Sequence, residues 1–208
     1  MAFTLTIEPE LRDSRPVSID LRPLPTLTDE EFFLFCQANR NLRIERTASG
    51  EIIIMAPAGG ETGGRNADLT TYLNIWAWTN NQGKVFDSST GFNLPNGATR
   101  SPDAAWVRRA QLTQLTAEQK RKFLPLCPVF VIELRSATDS LRVAQDKMVE
   151  WIANGVELGW LIDPTERNVY VYRPGRPVEQ LQNPTQVSGE PVLPGFVLDL
   201  TAIWEPGF

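Results

Sequence analysis

The chain has 208 residues, of which 42% are apolar, and its 20 basic and 25 acidic side chains give a net charge of −5. This length and composition fit one folded domain, and the mildly acidic charge argues against a broad basic surface without excluding a local basic patch. The sequence contains no histidine, which excludes Ser-His-Asp and Cys-His catalysis, histidine-ligated zinc and nucleases with a histidine general base.

The N-terminal part of the chain predicts an arm, a helix and a hairpin. Residues 1–25 contain four prolines and mixed charge, which indicates an extended arm or irregular segment before a single domain over residues 26–208. A capping-box pattern, a threonine followed three positions later by a glutamate, predicts a helix over about 28–39. Two strand-like runs at 43–47 and 51–56 flank Ala-Ser-Gly and predict a hairpin.

A glycine-rich segment from Pro57 to Gly64 is predicted to be a loop that precedes a second helix over about 64–79. The Gly-Lys-Ser/Thr of a phosphate-binding loop is missing, so a loop of that class is not expected. Glu61 lies near the start of the helix, where the helix dipole favours an acidic side chain. A catalytic role for Glu61 stays open beside this structural interpretation.

The middle of the chain predicts neighbouring strands. Runs at 84–90 and 101–107 are strand-like, and Pro95-Asn-Gly97 between them is a strong turn signal. A polar connector over 111–122 follows, and it is predicted to be helical or irregular.

The stretch from Pro128 to Arg135 predicts a central strand. Because this stretch is apolar almost throughout, we expect both of its faces to be covered. Glu133 is the exception, and an ionised carboxylate is costly to bury without a partner. Two solutions are open for Glu133: a network of ion pairs and hydrogen bonds, or a metal ion.

The last third of the chain predicts a crossover. A helix from Asp139 to about Asn154 separates the central strand from a second apolar run at 157–162, which implies a parallel pair and an α/β mixed sheet. Alternation over 168–173 is typical of an exposed edge strand, and one short strand is expected near 196–200.

Cys36 and Cys127 stand alone in apolar settings, which predicts buried free thiols rather than a disulfide or a nucleophile. No signal peptide or transmembrane span is visible, since the longest apolar runs are far too short. We therefore expect a reducing, cytoplasmic compartment and no membrane contact.

Asp103, Glu133 and Lys147 are the candidate catalytic residues. Asp103 opens one strand and Glu133 lies near the end of the next, so the two carboxylates can come within reach of one metal ion. Lys147 borders the apolar arc of the following helix and is expected to face the sheet. Two carboxylates can hold Mg²⁺, and a lysine beside them can orient or deprotonate a water or neutralise a developing oxyanion. A structural interpretation stays open as well, with Asp103 as a strand-end residue and Glu133 paired with Lys147 or Arg135.

At these residues the chain resembles the PD-(D/E)xK nuclease superfamily and, more closely, the Uma-type family of restriction-endonuclease-like proteins. Pro-Asp alone is a weak signal, whereas an ordered series of blocks is specific. The resemblance covers about residues 25–200 and includes the hairpin and helix from 43 to 79 and the blocks Gly91–Gly97, Ser101–Val107, Val131–Asp139, Gln145–Trp151 and Asn154–Pro164.

The resemblance implies a restriction-endonuclease-like core, with a central mixed β-sheet flanked by helices. It implies Asp103 and Glu133 as metal ligands, Mg²⁺ or Mn²⁺ as the cofactor, DNA as the substrate of phosphodiester hydrolysis, and a homodimer. The usual motif lysine falls at Arg135, which does not release a proton at useful pH, and Lys147 fits a lysine that has moved to the following helix. Glu61 matches the first-helix region from which some nucleases supply an extra acidic ligand, so Glu61 and Arg135 are auxiliary candidates.

Two other functions stay open. The arginine at the motif position and the acidic charge favour a catalytically silent module that keeps the nuclease fold to bind nucleic acid or protein. A hydrolase acting on sugars through two carboxyl groups is a further alternative, and it requires that no cation lies between them.

Overall fold

A computed structural model describes residues 16–21, 26–137 and 139–207 of the chain. In these residues the helices are α1 (Asp29–Ala38), α2 (Gly60–Asn80), α3 (Arg109–Thr113), α4 (Leu141–Ala153) and α5 (Thr201–Trp204), with a 3₁₀ turn at Gln119–Arg121. The strands are β1 (Val17–Ile19), β2 (Arg43–Arg46), β3 (Ile52–Met55), β4 (Gly83–Asp87), β5 (Phe92–Asn93), β6 (Thr99–Arg100), β7 (Ala104–Arg108), β8 (Phe130–Leu134), β9 (Leu158–Asp163), β10 (Asn168–Tyr172), β11 (Glu179–Gln182), β12 (Gln186–Ser188) and β13 (Val197–Asp199).

The central sheet has six strands in the order β11-β10-β9-β8-β7-β4. β8 and β9 run parallel, and the other neighbouring pairs in this sheet run antiparallel. The helix between β8 and β9 is α4, which confirms the predicted strand–helix–strand crossover. The fold is therefore the mixed α and β class that the sequence predicts, with a central mixed sheet.

Both faces of the central sheet are covered, as the apolar β8 requires. On one face, Phe130 and Ile132 belong to a core that includes side chains of α2, α5 and the β12–β13 ribbon. On the other face, Val131 packs in a core with Met148 and Trp151 of α4. Since strand side chains alternate, this second face is also the one on which Glu133 lies.

A second, five-stranded sheet in the order β1-β3-β2-β6-β5 carries α1. Phe32 of α1 is fully buried in a small core with Ile44 and Ile52 of the β2–β3 hairpin. Thr28 caps α1, accepting a hydrogen bond from the backbone of Glu31 and donating to its carboxylate, so the predicted capping box and hairpin are both confirmed.

Three features differ from the sequence-based expectation. α2 begins at Gly60, so part of the expected glycine-rich loop is helical, because the later turns of this long helix are anchored in the core. The alternation over 168–173 predicts an exposed edge strand, but β10 is buried and pairs with β9 and β11. Its alternation was misleading because Tyr170 and Tyr172 are buried against the α4 face rather than solvated. The strand expected over 101–107 begins only at Ala104.

The arm over residues 1–25 lies mostly outside the described residues, but β1 at Val17–Ile19 pairs with β3. Cys36 and Cys127 are free and half-buried. Burial raises the pKa of Cys36 to about 11 and that of Cys127 to about 12, so both remain thiols at neutral pH. Within the described ranges, no helix is both long and apolar enough to cross a membrane.

Candidate active site

The two candidate acids lie next to each other at one end of the central sheet. β7 and β8 are antiparallel with Ala104 opposite Ile132, and continuing this register by one residue brings Asp103 opposite Glu133. Opposed residues of an antiparallel pair project to the same side of the sheet. Each of the two residues is only 8% exposed.

Asp103 is held by groups from three parts of the fold. The backbone N–H of Leu134 donates to its Oδ2 at 2.8 Å, and the Asn66 side chain of α2 donates to its Oδ1 at 3.0 Å. The Arg43 guanidinium of β2 lies 3.6 Å from the same Oδ1, which is an ion pair but too long for a good hydrogen bond. Asp103 therefore joins the central sheet, α2 and the second sheet.

Glu133 is contacted by two side chains of α4. The Lys147 ammonium lies 3.0 Å from its Oε1, and the Trp151 indole N–H donates to Oε1 at 2.7 Å. Lys147 and Trp151 are four residues apart, so they occupy the same face of α4. The expectation that Lys147 faces the sheet is met.

Glu45 of β2 is the residue that sequence reasoning missed. It is 2% exposed, and its Oε1 accepts hydrogen bonds from the Lys147 ammonium and the Ser101 backbone N–H, both at 3.0 Å. Arg100 donates to its Oε2 at 3.1 Å. Lys147 is thus bracketed by Glu45 and Glu133. The sequence around Glu45 is Arg-Ile-Glu-Arg, which is typical of a solvated hairpin strand. Nothing in it indicates that Glu45 is buried beside Lys147.

The charges of this cluster set its protonation. Burial raises the pKa of Glu133 to about 7, the neighbouring charges of Asp103 and Glu45 add to this effect, and Lys147 opposes it. Burial also disfavours the charge on Glu45, but Lys147 and Arg100 outweigh it and lower the pKa of Glu45. Burial likewise opposes the charge on Lys147, yet Glu133 and Glu45 raise its pKa. Lys147 is therefore an ammonium ion at neutral pH.

Arg135 forms an ion pair with an acid of β9, outside the cluster of Asp103 and Glu133. Its guanidinium donates to the fully buried Asp163 of β9 at 2.6 Å and to the backbone carbonyl of Asp139 at 3.0 Å. The sequence placed Arg135 on the face of Glu133, but in the fold its charge compensates Asp163.

Glu61 is also not brought to the acids. Its side chain is 60% exposed and pairs with Arg65 one turn later on α2, at 3.1 Å. The residue that α2 contributes to the cluster is Asn66, through its contact with Asp103. The position of Glu61 therefore agrees with its structural interpretation at a helix start.

The carboxylates of this cluster are candidate ligands for a metal ion. Among the described residues, no group of three or more His, Cys, Asp or Glu side chains is arranged to hold one. Mg²⁺, however, is commonly bound by one or two carboxylates, with water and a substrate phosphate completing the octahedron. Asp103 and Glu133 offer oxygen only. Burial raises the pKa of Glu133 and the nearby charge of Asp103 adds to this effect, so a divalent cation between the two carboxylates would stabilise their charged forms. The two acids fit such an ion.

Comparison with known proteins gives a fold match and a family match. A solved structure titled "putative nuclease belonging to DUF820 from Anabaena variabilis ATCC 29413" superposes with a TM-score of 0.68 over 86% of this chain and 97% of that one. The sequence identity is 19%, so the likeness shows a shared fold. No curated protein matches the chain. The model of the Uma2 family, described as "Putative restriction endonuclease", matches residues 29–201, and the chain therefore belongs to this family.

Proposed function

We propose that this protein is a metal-dependent nuclease that hydrolyses phosphodiester bonds in DNA. Its family is described as "Putative restriction endonuclease", and a structural neighbour is titled a "putative nuclease". The observation that carries the proposal is the meeting of Asp103, Glu133 and Lys147 at one end of the central sheet.

Asp103 and Glu133 are the residues that would hold Mg²⁺ or Mn²⁺. When bound, such an ion lowers the pKa of water and stabilises negative charge on a phosphate. The protein's own contribution is to fix both carboxylates in place: Asp103 through Leu134 and Asn66, and Glu133 through Trp151. Pre-oriented groups need no reorganisation when charge develops during the reaction.

Lys147 acts in this proposal as a fixed positive charge. Its pKa is raised, so it does not give up its proton easily and is a poor general base. Hydrolysis forms a bond between a water oxygen and phosphorus and breaks one ester P–O bond. On balance the water gives up one proton and the released ester oxygen takes one up, and negative charge builds on the phosphoryl group in between. An ammonium 3.0 Å from Glu133 is placed to neutralise that charge. Glu45 is a positioning residue, since it holds Lys147 from the other side at 3.0 Å.

A silent binding module is the second candidate, and Arg135 is the observation that favours it. The motif lysine is replaced there, and the arginine is engaged with Asp163. In this alternative, Glu45, Lys147 and Glu133 form a buried ion network that stabilises the fold without turnover.

Cleavage of supercoiled plasmid DNA separates the two candidates. We expect nicked or linear product with Mg²⁺ or Mn²⁺ and none with EDTA. Asp103→Asn, Glu133→Gln and Lys147→Met should each lower the rate by about 100-fold or more, because the first two remove a carboxylate that would hold the metal ion and the third removes the cation that would neutralise the phosphoryl group. Glu157→Gln is the matched control, since Glu157 pairs with Arg108 at the surface and its loss should leave the rate unchanged.

The silent module is the correct interpretation if wild-type protein is inert on supercoiled, linear and single-stranded DNA with either metal. Isothermal titration of Mn²⁺ into wild type and Glu133→Gln is the companion measurement. Equal heats from the two proteins would remove the metal site from the proposal.

A further inference from the structure

A groove of about 800 Å³ opens beside the candidate active site. It runs between α1, the β2–β3 hairpin and the segment after β4. Arg43 and Ser101 line the groove and also belong to the cluster of acids, because Arg43 pairs with Asp103 and the Ser101 carbonyl lies 3.5 Å from the Lys147 ammonium. A ligand in this groove would therefore reach the reacting centre directly.

The groove is lined by both apolar and polar side chains, which are called here its floor and its rim. The floor includes aliphatic and aromatic side chains: Val17, Leu42, Ile44, Ile54, Met55 and Phe123. The rim carries two arginines, two amides and two hydroxyls: Arg40, Arg43, Gln37, Asn41, Ser88 and Ser89. Among the residues that the structure describes, no acidic side chain lines the groove, although the chain as a whole has a net charge of −5.

Arg43 has spare hydrogen-bonding capacity at the junction of groove and site. Its Nε is buried with no hydrogen-bond partner among the described residues, and its Nη2 is 3.6 Å from Asp103. One third of the side chain is exposed. A buried donor without a partner is unfavourable, and a guanidinium is well suited to a bidentate contact with a phosphate.

The chemistry of the floor bears on the form of the nucleic acid. A paired duplex keeps its bases stacked inside and presents phosphates, so it would leave an apolar floor unused. An unpaired base has an apolar face that can lie on aromatic and apolar side chains, as in single-strand and base-flipping sites. The positive rim is small, which fits one or two phosphates rather than the long track that a duplex requires.

We propose that this groove binds an unpaired nucleotide of the strand to be cut, with its base on the apolar floor and its phosphate at Arg43. This inference rests on the proposed nuclease function for its substrate class. It goes beyond that function by naming single-stranded or locally unpaired DNA as the preferred form and Arg43 as a phosphate-binding residue. The adjoining phosphate then lies at Asp103 and Glu133.

The test is fluorescence anisotropy in EDTA with a labelled single-stranded oligonucleotide and the same strand annealed to its complement. We expect the single strand to bind about tenfold more tightly or better. Arg43→Ala should weaken single-strand binding by about tenfold. Arg142→Ala is the matched control, because Arg142 is 90% exposed on α4, outside the groove, and should change the affinity less than about twofold.

A second variant guards against a folding defect in Arg43→Ala. Leu42 is 39% exposed on the floor, so Leu42→Ser should fold normally and weaken single-strand binding while leaving duplex binding unchanged. Val143→Ser, at a residue 66% exposed on α4, is its control. Equal binding of single strand and duplex, or equal effects of Arg43→Ala and Arg142→Ala, would overturn the inference.

The two proposals fail in different ways. If the protein binds the single strand through Arg43 but never cleaves DNA, the proposed nuclease function is wrong and the proposed binding groove still holds. If wild type, Arg43→Ala and Leu42→Ser all cleave DNA equally well, only the proposal about the groove is wrong.

Discussion

Glu133 and Glu45 together keep Lys147 protonated, and Glu45 also helps to hold it in position. Because two carboxylates face one ammonium, the lysine is a fixed cation, and its second partner comes from a different sheet. A buried charge network of this kind is sensitive to the loss of one member, because the remaining charges are left without compensation.

Glu45→Gln is therefore expected to lower the free energy of unfolding by on the order of 3 kcal/mol. The matched control is Glu179→Gln, which removes an ion pair with Arg173 whose acid is 59% exposed, and which should cost less than about 1 kcal/mol. Urea denaturation at neutral pH measures both. In a cleavage assay, the alkaline limb of the pH profile should move to lower pH in Glu45→Gln, because Lys147 loses a carboxylate that raises its pKa. Similar small losses of stability in both variants would contradict the role assigned to Glu45.

Glu133 makes stability depend on pH in a defined direction. Its pKa is about 7 in the folded protein, against an ordinary value of 4.5. Between these values the folded state keeps a proton that the unfolded chain releases, so this group makes the folded state less stable as pH rises from about 4.5 to about 7.

The stability of wild type relative to Glu133→Gln should fall across this window by on the order of 3 kcal/mol. The comparison with the variant is needed because the lowered pKa of Glu45 works in the opposite direction. Denaturation in EDTA at pH 5 and pH 7.5 measures the difference. If the free energy of unfolding changes equally with pH in the two proteins, the pKa of Glu133 is not raised by folding.

At the scale of elements, α4 is the helix that assembles the cluster. One face of it supplies Met148 and Trp151 to the core and Lys147 and Trp151 to Glu133. The sequence predicted this helix and its orientation correctly because the amphipathic pattern of a single helix is local information. The pattern could not name Glu45 as the second partner of Lys147, because hairpin and helix are not adjacent in sequence.

Two glycines test the element boundaries that the structure defines. Gly63 lies inside α2, where an added methyl group would have nothing within 4 Å, so Gly63→Ala should raise the free energy of unfolding by about 1 kcal/mol. Gly83 opens β4, where the methyl group would lie 2.3 Å from the Val107 carbonyl oxygen. Gly83→Ala should lower the free energy by roughly 1–3 kcal/mol, since the clash is with backbone.

Urea denaturation of both variants beside wild type checks this prediction, and each variant serves as the other's control. If Gly63→Ala is destabilising, the glycine-rich segment is a loop, as the sequence alone suggested, rather than the first turns of α2.

At the scale of the whole molecule, the homodimer and the single domain over residues 26–208 stay predictions. Where a duplex is locally unpaired, a two-fold symmetric pair of chains would present one site and one groove to each of the two strands. We expect sedimentation velocity to show a dimer at micromolar concentrations. The protein would contradict this expectation if it stayed monomeric at every protein concentration measured. If such a monomer still cut both strands, one site would have to act twice.

The sequence by itself determined the fold class, the parallel crossover and the three side chains of the central cluster. These depend on local patterns: an apolar strand interrupted by Glu133, a strand that follows Asp103, and a helix with Lys147 at the border of its apolar face. Strand pairing then brought the two acids together, as expected from their positions at neighbouring strand ends.

Only the tertiary structure decided the partners of those charges. Glu45 meets Lys147 across 102 positions of sequence, Arg135 is engaged by Asp163 instead of the cluster, and the polar β11 covers an edge that had been expected to be exposed. The physical reason is that compensation of a buried charge depends on which side chains the packed sheets bring within about 4 Å of one another, and residues distant in sequence carry no local signal of that proximity.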